Sequence, residues 1–130
     1  MTARIDPRCD RGYTLVELML VFAIVGILAA IGYAAYENTL ARARIAKAQG
    51  DVDAISSAVS MYAAHHGAIP GSLGQVTTSS VNAEGVTVGT FLLKIPTPPM
   101  FWSMSYSYAT GANGSYTISA EGDGTTVRRP

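Results

Sequence analysis

Between Leu18 and Tyr36 the chain reads LMLVFAIVGILAAIGYAAY, nineteen residues without a charge. At about 1.5 Å of rise per residue, roughly twenty helical residues cross the ~30 Å hydrocarbon core of a bilayer. The stretch is long enough to span, and it extends back to Tyr13 if one acid, Glu17, is accepted. Its glycines, Gly26 and Gly32, are better tolerated in membrane helices than in soluble ones. A cleaved secretory signal has a shorter apolar region of roughly 7–15 residues, although Ala29, Ala30, Ala34 and Ala35 imitate the small residues at its end. A plain signal anchor fits the length, whereas a buried core helix does not suit a domain this small. Side-chain charge leaves the orientation tied: Arg4, Arg8 and Arg11 precede the span, and Arg42, Arg44 and Lys47 follow it.

Composition agrees with a membrane-associated chain. Its 130 residues give room for one domain with one core. Only 14% of residues are charged, against about 25% in ordinary soluble domains. Nine Lys and Arg balance nine Asp and Glu, which excludes a broadly basic nucleic-acid binder. The apolar content is too high for a disordered tail. A single cysteine, Cys9, rules out an intramolecular disulfide and a cysteine-based zinc site.

Working outward from the span, residues 1–12 are short, polar and broken by Pro7, and read as a leader. From Glu37 to His66 there is no proline, and only Gly50 interrupts good helix formers. Ile45, Ala48, Val52, Ile55, Val59 and Tyr62 recur at steps of three and four, one face of an α-helix. The simplest reading is one helix from about Tyr13 to His66, apolar all round over 13–36 and amphipathic over 37–66. The stripe is too short for a coiled coil and is expected to pack on the chain's own remainder. Gly67 is a natural stop, and Pro70 prevents a restart.

Residues 67–130 read as a head, beginning with a loop over 71–86. Ser103–Ala109, with Met104, Tyr106 and Tyr108 alternating against serines, predicts a strand. Ser115–Ala120, with Tyr116, Ile118 and Ala120 on one face, predicts its partner. Asn113-Gly114 between them is a hairpin signal. Thr87–Leu93 is the candidate third strand, before the turn cluster of Pro96, Pro98 and Pro99. The fold class is α+β: a long N-terminal helix packed on a small antiparallel sheet.

The junction Arg11-Gly12-Tyr13-Thr14-Leu15-Val16-Glu17 resembles the processing signature of type IV pilins and of the pseudopilins of type II secretion. The resemblance implies that a membrane-embedded prepilin peptidase cuts between Gly12 and Tyr13 and methylates the new Tyr13 amine. Cys9 would leave with the leader. Farther on, Asp51, Ile55, Ala58, Tyr62, Gly67 and Pro70 are similar to the end of the long helix in G-type major pseudopilins. Trp102, Tyr106, Tyr108, Gly114-Ser115-Tyr116 and Gly122-Asp123-Gly124 are similar to the C-terminal sheet of the same group. There are departures. Ile31–Tyr36 lacks the proline usual in the first part of the family's helix, leaving Gly26 and Gly32 as its weak points. No acid precedes the turn Pro98-Pro99-Met100-Phe101-Trp102. The disulfide loop of many adhesive pilins is also missing, which favours a pseudopilin.

Glu17 is the residue hardest to explain as structure alone, because an acid inside a bilayer helix costs a few kcal/mol. The resemblance supplies a role: pairing with the Tyr13 amine of a neighbouring subunit, which sets the register of assembly. His65-His66 suggests a metal only weakly, since adjacent helical side chains diverge by about 100°, and histidine also complements a helix C-terminus. Glu121 and Asp123 stand in the segment that holds calcium in G-type pseudopilins. Calcium wants about six to eight oxygens, so on ligand count a solvated turn is preferred. No nucleophile elbow, zinc helix or phosphate loop is present, and no enzymatic activity or cofactor is expected.

The expectation is a structural subunit of a pilus-like filament in the inner membrane with a periplasmic head, most like a type II secretion major pseudopilin. Its partners would be copies of itself, the prepilin peptidase, minor pseudopilins or pilins, and an assembly platform protein with its ATPase. The membrane would hold it before assembly, and no nucleic acid is predicted. One alternative is a true type IV pilin for adhesion, motility or DNA uptake. Another, of a different class, is a signal-anchored periplasmic binding protein that does not polymerise.

Overall fold

The computed structural model describes residues 12–130, so the expected leader, with Cys9 and everything before Gly12, lies outside the described residues. One helix, α1, runs without interruption from Leu15 to His66, 52 residues. Its sequence contains no proline, and neither Gly26, Gly32 nor Gly50 breaks it. The chain divides into two units, one ending at Asn38 and one from Thr39 to Pro130.

In the first unit the helix exposes large apolar side chains on every side, among them Leu15, Met19, Phe22, Ile27, Ile31 and Tyr36. By length and composition it is long and apolar enough to cross a membrane. Such a surface is stable only in hydrocarbon or against other apolar helices.

In the second unit the same helix becomes one-sided. Ala48, Val52, Ile55, Ala58 and Val59 are buried, with Ile45 and Tyr62 half-buried beside them. The predicted stripe is therefore the core face. Gly67 ends the helix in the left-handed region (φ 71°), its N–H donating to the Ala63 carbonyl at 2.8 Å.

The stripe packs against Leu73, Val76, Trp102, Tyr106, Ile118, Ala120 and Val127. Leu73 and Val76 belong to a 3₁₀ helix, Leu73–Thr77. Strands β1 (Ser80–Val81) and β2 (Thr87–Val88) form a small antiparallel pair of their own. The main sheet has the order β3-β4-β5: β3 Ser107–Thr110, β4 Tyr116–Gly122 and β5 Thr125–Arg129, all antiparallel. The Asn113-Gly114 signal holds, both residues lying at positive φ (64° and 75°) in the β3–β4 connection.

Three tyrosine hydroxyls tie the sheet region to the helix and its exit. Tyr106 donates to Asp51 Oδ2 at 2.8 Å, Tyr116 lies 2.9 Å from Ser56 Oγ, and Tyr108 donates to the Pro70 carbonyl at 2.7 Å. Burial, and then the bond to Asp51, pushes the Tyr106 phenol above its ordinary range; burial and the neighbouring Tyr116 raise Tyr108.

Three expectations for the head are corrected. Thr87–Leu93 is not the third strand of the main sheet: only Thr87–Val88 is extended and paired, with β1. After Gly89 the chain turns so that the Phe91 and Leu92 N–H groups both donate to the Val76 carbonyl at 3.0 Å, and both side chains are half-buried. The third strand is instead Thr125–Arg129, an edge strand whose one core residue is Val127, opposite Ala120. Residues 71–86 are not simply a loop, since they supply the 3₁₀ helix and β1. Met104 is 99% exposed in a bend before β3, so the apparent alternation begins in earnest only at Tyr106.

Candidate functional site

Two clusters carry the residues singled out from the sequence. The first is the start of α1. Thr14 precedes the first helical residue, and its Oγ1 accepts the Glu17 N–H at 3.2 Å. Glu17 reaches back, its Oε2 accepting the Thr14 N–H and hydroxyl, each at 3.0 Å. This is a capping box, threonine at the cap and glutamate three residues on, which satisfies two helix-end donors reciprocally. The Thr-x-x-Glu spacing was visible in the sequence, and it gives Glu17 a local role besides any role between subunits. A carboxylate in the first turn also complements the helix dipole. Tyr13 is 82% exposed just ahead of the cap. At Gly12 a Cβ would meet nothing within 4 Å, so among the described residues no contact demands a glycine there.

The second cluster lies in the head around Asp123. The β4–β5 turn is the two-residue loop Asp123-Gly124, closed by the pair Gly122 and Thr125. Both loop residues have positive φ (49° and 68°), as the common tight hairpin turn requires. The turn presents Asp123 to α1. Arg44 donates from Nε to Oδ2 at 2.7 Å and from Nη2 to Oδ1 at 2.8 Å. The Trp102 indole N–H donates to Oδ2 at 2.8 Å. The Arg44 bonds first, and then the Trp102 bond, hold the Asp123 carboxyl down to about 2.

Trp102 is buried and lies against the end of β4. The Pro99–Trp102 turn is closed by a 3.2 Å bond from the Trp102 N–H to the Pro99 carbonyl, with Phe101 at φ 70°. Ser103 next donates its N–H to the Glu121 carbonyl at 2.9 Å. A Cβ on Gly122 would stand 2.2 Å from the indole Cγ, so the ring occupies the space a side chain would take. Gly122→Ala is expected to lift the indole from its place and to destabilise the head by about 1–3 kcal/mol. A lowered unfolding midpoint with red-shifted emission from Trp102, the one tryptophan, would show it.

The remaining candidates have structural partners. His66 stacks on Tyr62 with ring centroids 4.1 Å apart, and its Nε2 lies 2.9 Å from Ser80 Oγ, tying β1 to the helix end. His65 faces Phe91 at 5.6 Å. Glu121 is exposed beside the Asp123 turn. Among the described residues no three His, Cys, Asp or Glu side chains gather as a metal group. Arg44, 79 residues from Asp123, carried no local signal of its partnership.

Comparison with known proteins bears on both clusters. Residues 7–33 match the family model described as the prokaryotic N-terminal methylation motif. Residues 35–127 match that of the type II secretion system, protein G. The chain is 31% identical over 125 residues to the type II secretion system core protein G of Pseudomonas aeruginosa, covering 88% of this chain and 87% of that one. It is 43% identical over 80 residues to a fimbrial protein of Neisseria meningitidis and 42% identical over 80 residues to a type IV major pilin of Neisseria gonorrhoeae. Those matches cover 59% of this chain and 47% and 48% of the relatives, so the chain spans about half their length. No solved structure matches.

Proposed function

Because this chain belongs to the type II secretion system protein G family, we propose that it is a non-enzymatic major pseudopilin, polymerising into a pilus-like filament that serves protein secretion. The observation that carries the reading is a methylation motif over 7–33 joined to a protein G region over 35–127, with one unbroken helix beneath both.

The family resemblance implies the sequence of events, and the helix is suited to it. Its apolar part lies in the inner membrane, with the head in the periplasm. A prepilin peptidase removes residues 1–12 and methylates Tyr13. The platform protein and its ATPase then draw the subunit from the membrane, and minor pseudopilins start the filament. Lipid contacts along 13–36 are exchanged for contacts with the same segment of other copies, so little apolar surface is exposed to water at any stage. Glu17 finds a cation in the Tyr13 amine of an adjacent subunit.

The 43% and 42% identities to a fimbrial protein and to a type IV major pilin support a second reading, a type IV pilin. Deletion of the gene in its own host, with complementation from a plasmid, separates them. Loss of protein secretion, restored on complementation, is the expected result. Loss of surface pili with secretion intact would replace this reading with the pilin. If both survive, an anchored binding protein that does not polymerise takes its place.

A further inference from the structure

The residues around Asp123 fit a guanidinium and do not fit a divalent ion. Calcium needs about six to eight oxygens at roughly 2.3–2.6 Å, several of them carboxylate. Here both oxygens of Asp123 already receive Arg44 N–H groups, at 2.7 and 2.8 Å, and one also receives the indole N–H. A cation at that carboxylate would have to displace two charge-assisted bonds and then lie beside the guanidinium it displaced. The other acids are scarce or engaged. Glu84 and Glu121 are the only further acids after α1. On α1, Asp51 is held by Lys47 and Tyr106 at 2.7 and 2.8 Å, and Asp53 pairs with Arg129 at 3.3 Å.

We propose that Arg44 is the built-in cation of this head: its guanidinium closes the β4–β5 turn onto α1, and the head needs no divalent metal to hold that turn. The geometry suits arginine in particular. Nε and Nη2 form a fork that meets the two carboxylate oxygens in parallel, which a lysine ammonium cannot do. The pair is shielded, with only 24% of the Arg44 side chain and 17% of the Asp123 side chain accessible, so it is screened less than an open surface pair. It joins three parts far apart in sequence: α1 at Arg44, the proline-rich turn at Trp102 and the sheet edge at Asp123. Gly122 completes the arrangement by leaving room for the ring. A covalently attached cation is present at every calcium concentration, so the subunit's folding is uncoupled from that ion.

The test uses the full mature chain in detergent, stripped with EGTA, its thermal unfolding followed by Trp102 emission. A metal that binds only the folded state raises the midpoint by mass action. The wild-type midpoint is expected to be the same in EGTA and in millimolar calcium. Arg44→Ala is expected to lower it by about 5 °C or more, and Arg44→Lys by less, since it keeps the charge and loses the fork. A wild-type midpoint that falls in EGTA and recovers with calcium overturns the proposal. So does an Arg44→Ala midpoint equal to the wild type. If Arg44→Ala does not fold, Arg44→Lys and the wild-type comparison decide, neither of which requires the alanine variant.

Discussion

Replacing Gly12 with valine is expected to leave residues 1–12 on the chain and to abolish filament formation. In the described structure a Cβ at Gly12 would meet nothing within 4 Å, so the substitution costs the fold nothing by contact. The proposed cleavage places the demand for glycine in another molecule, since a peptidase that cuts after residue 12 has to bring its reacting groups against that backbone. A displacement of about 1 Å from productive geometry can cost on the order of 10²-fold in rate, and an isopropyl group at residue 12 obstructs a close approach to that backbone. Without the cut, no free amine forms at Tyr13 and nothing is methylated. Intact-mass analysis of membrane-derived protein is the measurement: wild type should begin at methylated Tyr13, and Gly12→Val at its original first residue. Insertion should survive, since the apolar run from Leu18 to Tyr36 is untouched. A normally trimmed Gly12→Val chain would remove the basis for placing the cut here.

What the sequence made legible follows the strength of each physical signal. The apolar run and the stripe from Ile45 to Tyr62 repeat over many residues, so chance substitutions average out. Both α1 and its buried face appear as expected. The Asn113-Gly114 turn was equally plain. The same rule, applied to Asp123-Gly124, marks the second hairpin and with it the start of β5. β5 itself is weak as a pattern, since Thr125–Arg129 offers one core residue and two arginines, the composition of a protected edge. The capping box at Thr14 and Glu17 was readable from its spacing. The Arg44–Asp123 pair was not, because nothing local to Arg44 points to a partner 79 positions away.

The role of Glu17 now divides into two parts that two substitutions separate. Within one chain it is the acid three residues past the cap in a capping box, and the loss of a cap costs about 0.5–2 kcal/mol. Between chains it is the proposed partner of the Tyr13 amine, enclosed by apolar helices where an unpaired charge is costly. Removing one member of a buried pair costs about 3–5 kcal/mol, which is roughly 10²–10³-fold or more in an equilibrium constant. The interchain part is therefore the larger, and it recurs at every subunit added. Glu17→Ala removes both parts. Glu17→Gln keeps an oxygen that can accept the Thr14 N–H, because glutamine serves in a capping box as glutamate does, and it removes only the charge. Both variants should insert in the membrane, since each makes the span less costly to place there, and both should be cut after Gly12. With no wild-type copies present, both are expected to stop at the mature membrane-bound subunit, with filaments and secretion lost. The decisive comparison is therefore the glutamine variant. If Glu17→Gln builds normal filaments while Glu17→Ala does not, the cap is the whole of the residue's role and the charge pair is excluded. Failure of both, with trimmed and methylated protein retained in the inner membrane, leaves the charge as the element that sets the register between neighbouring helices: in any other register the carboxylate and the amine would each be buried alone.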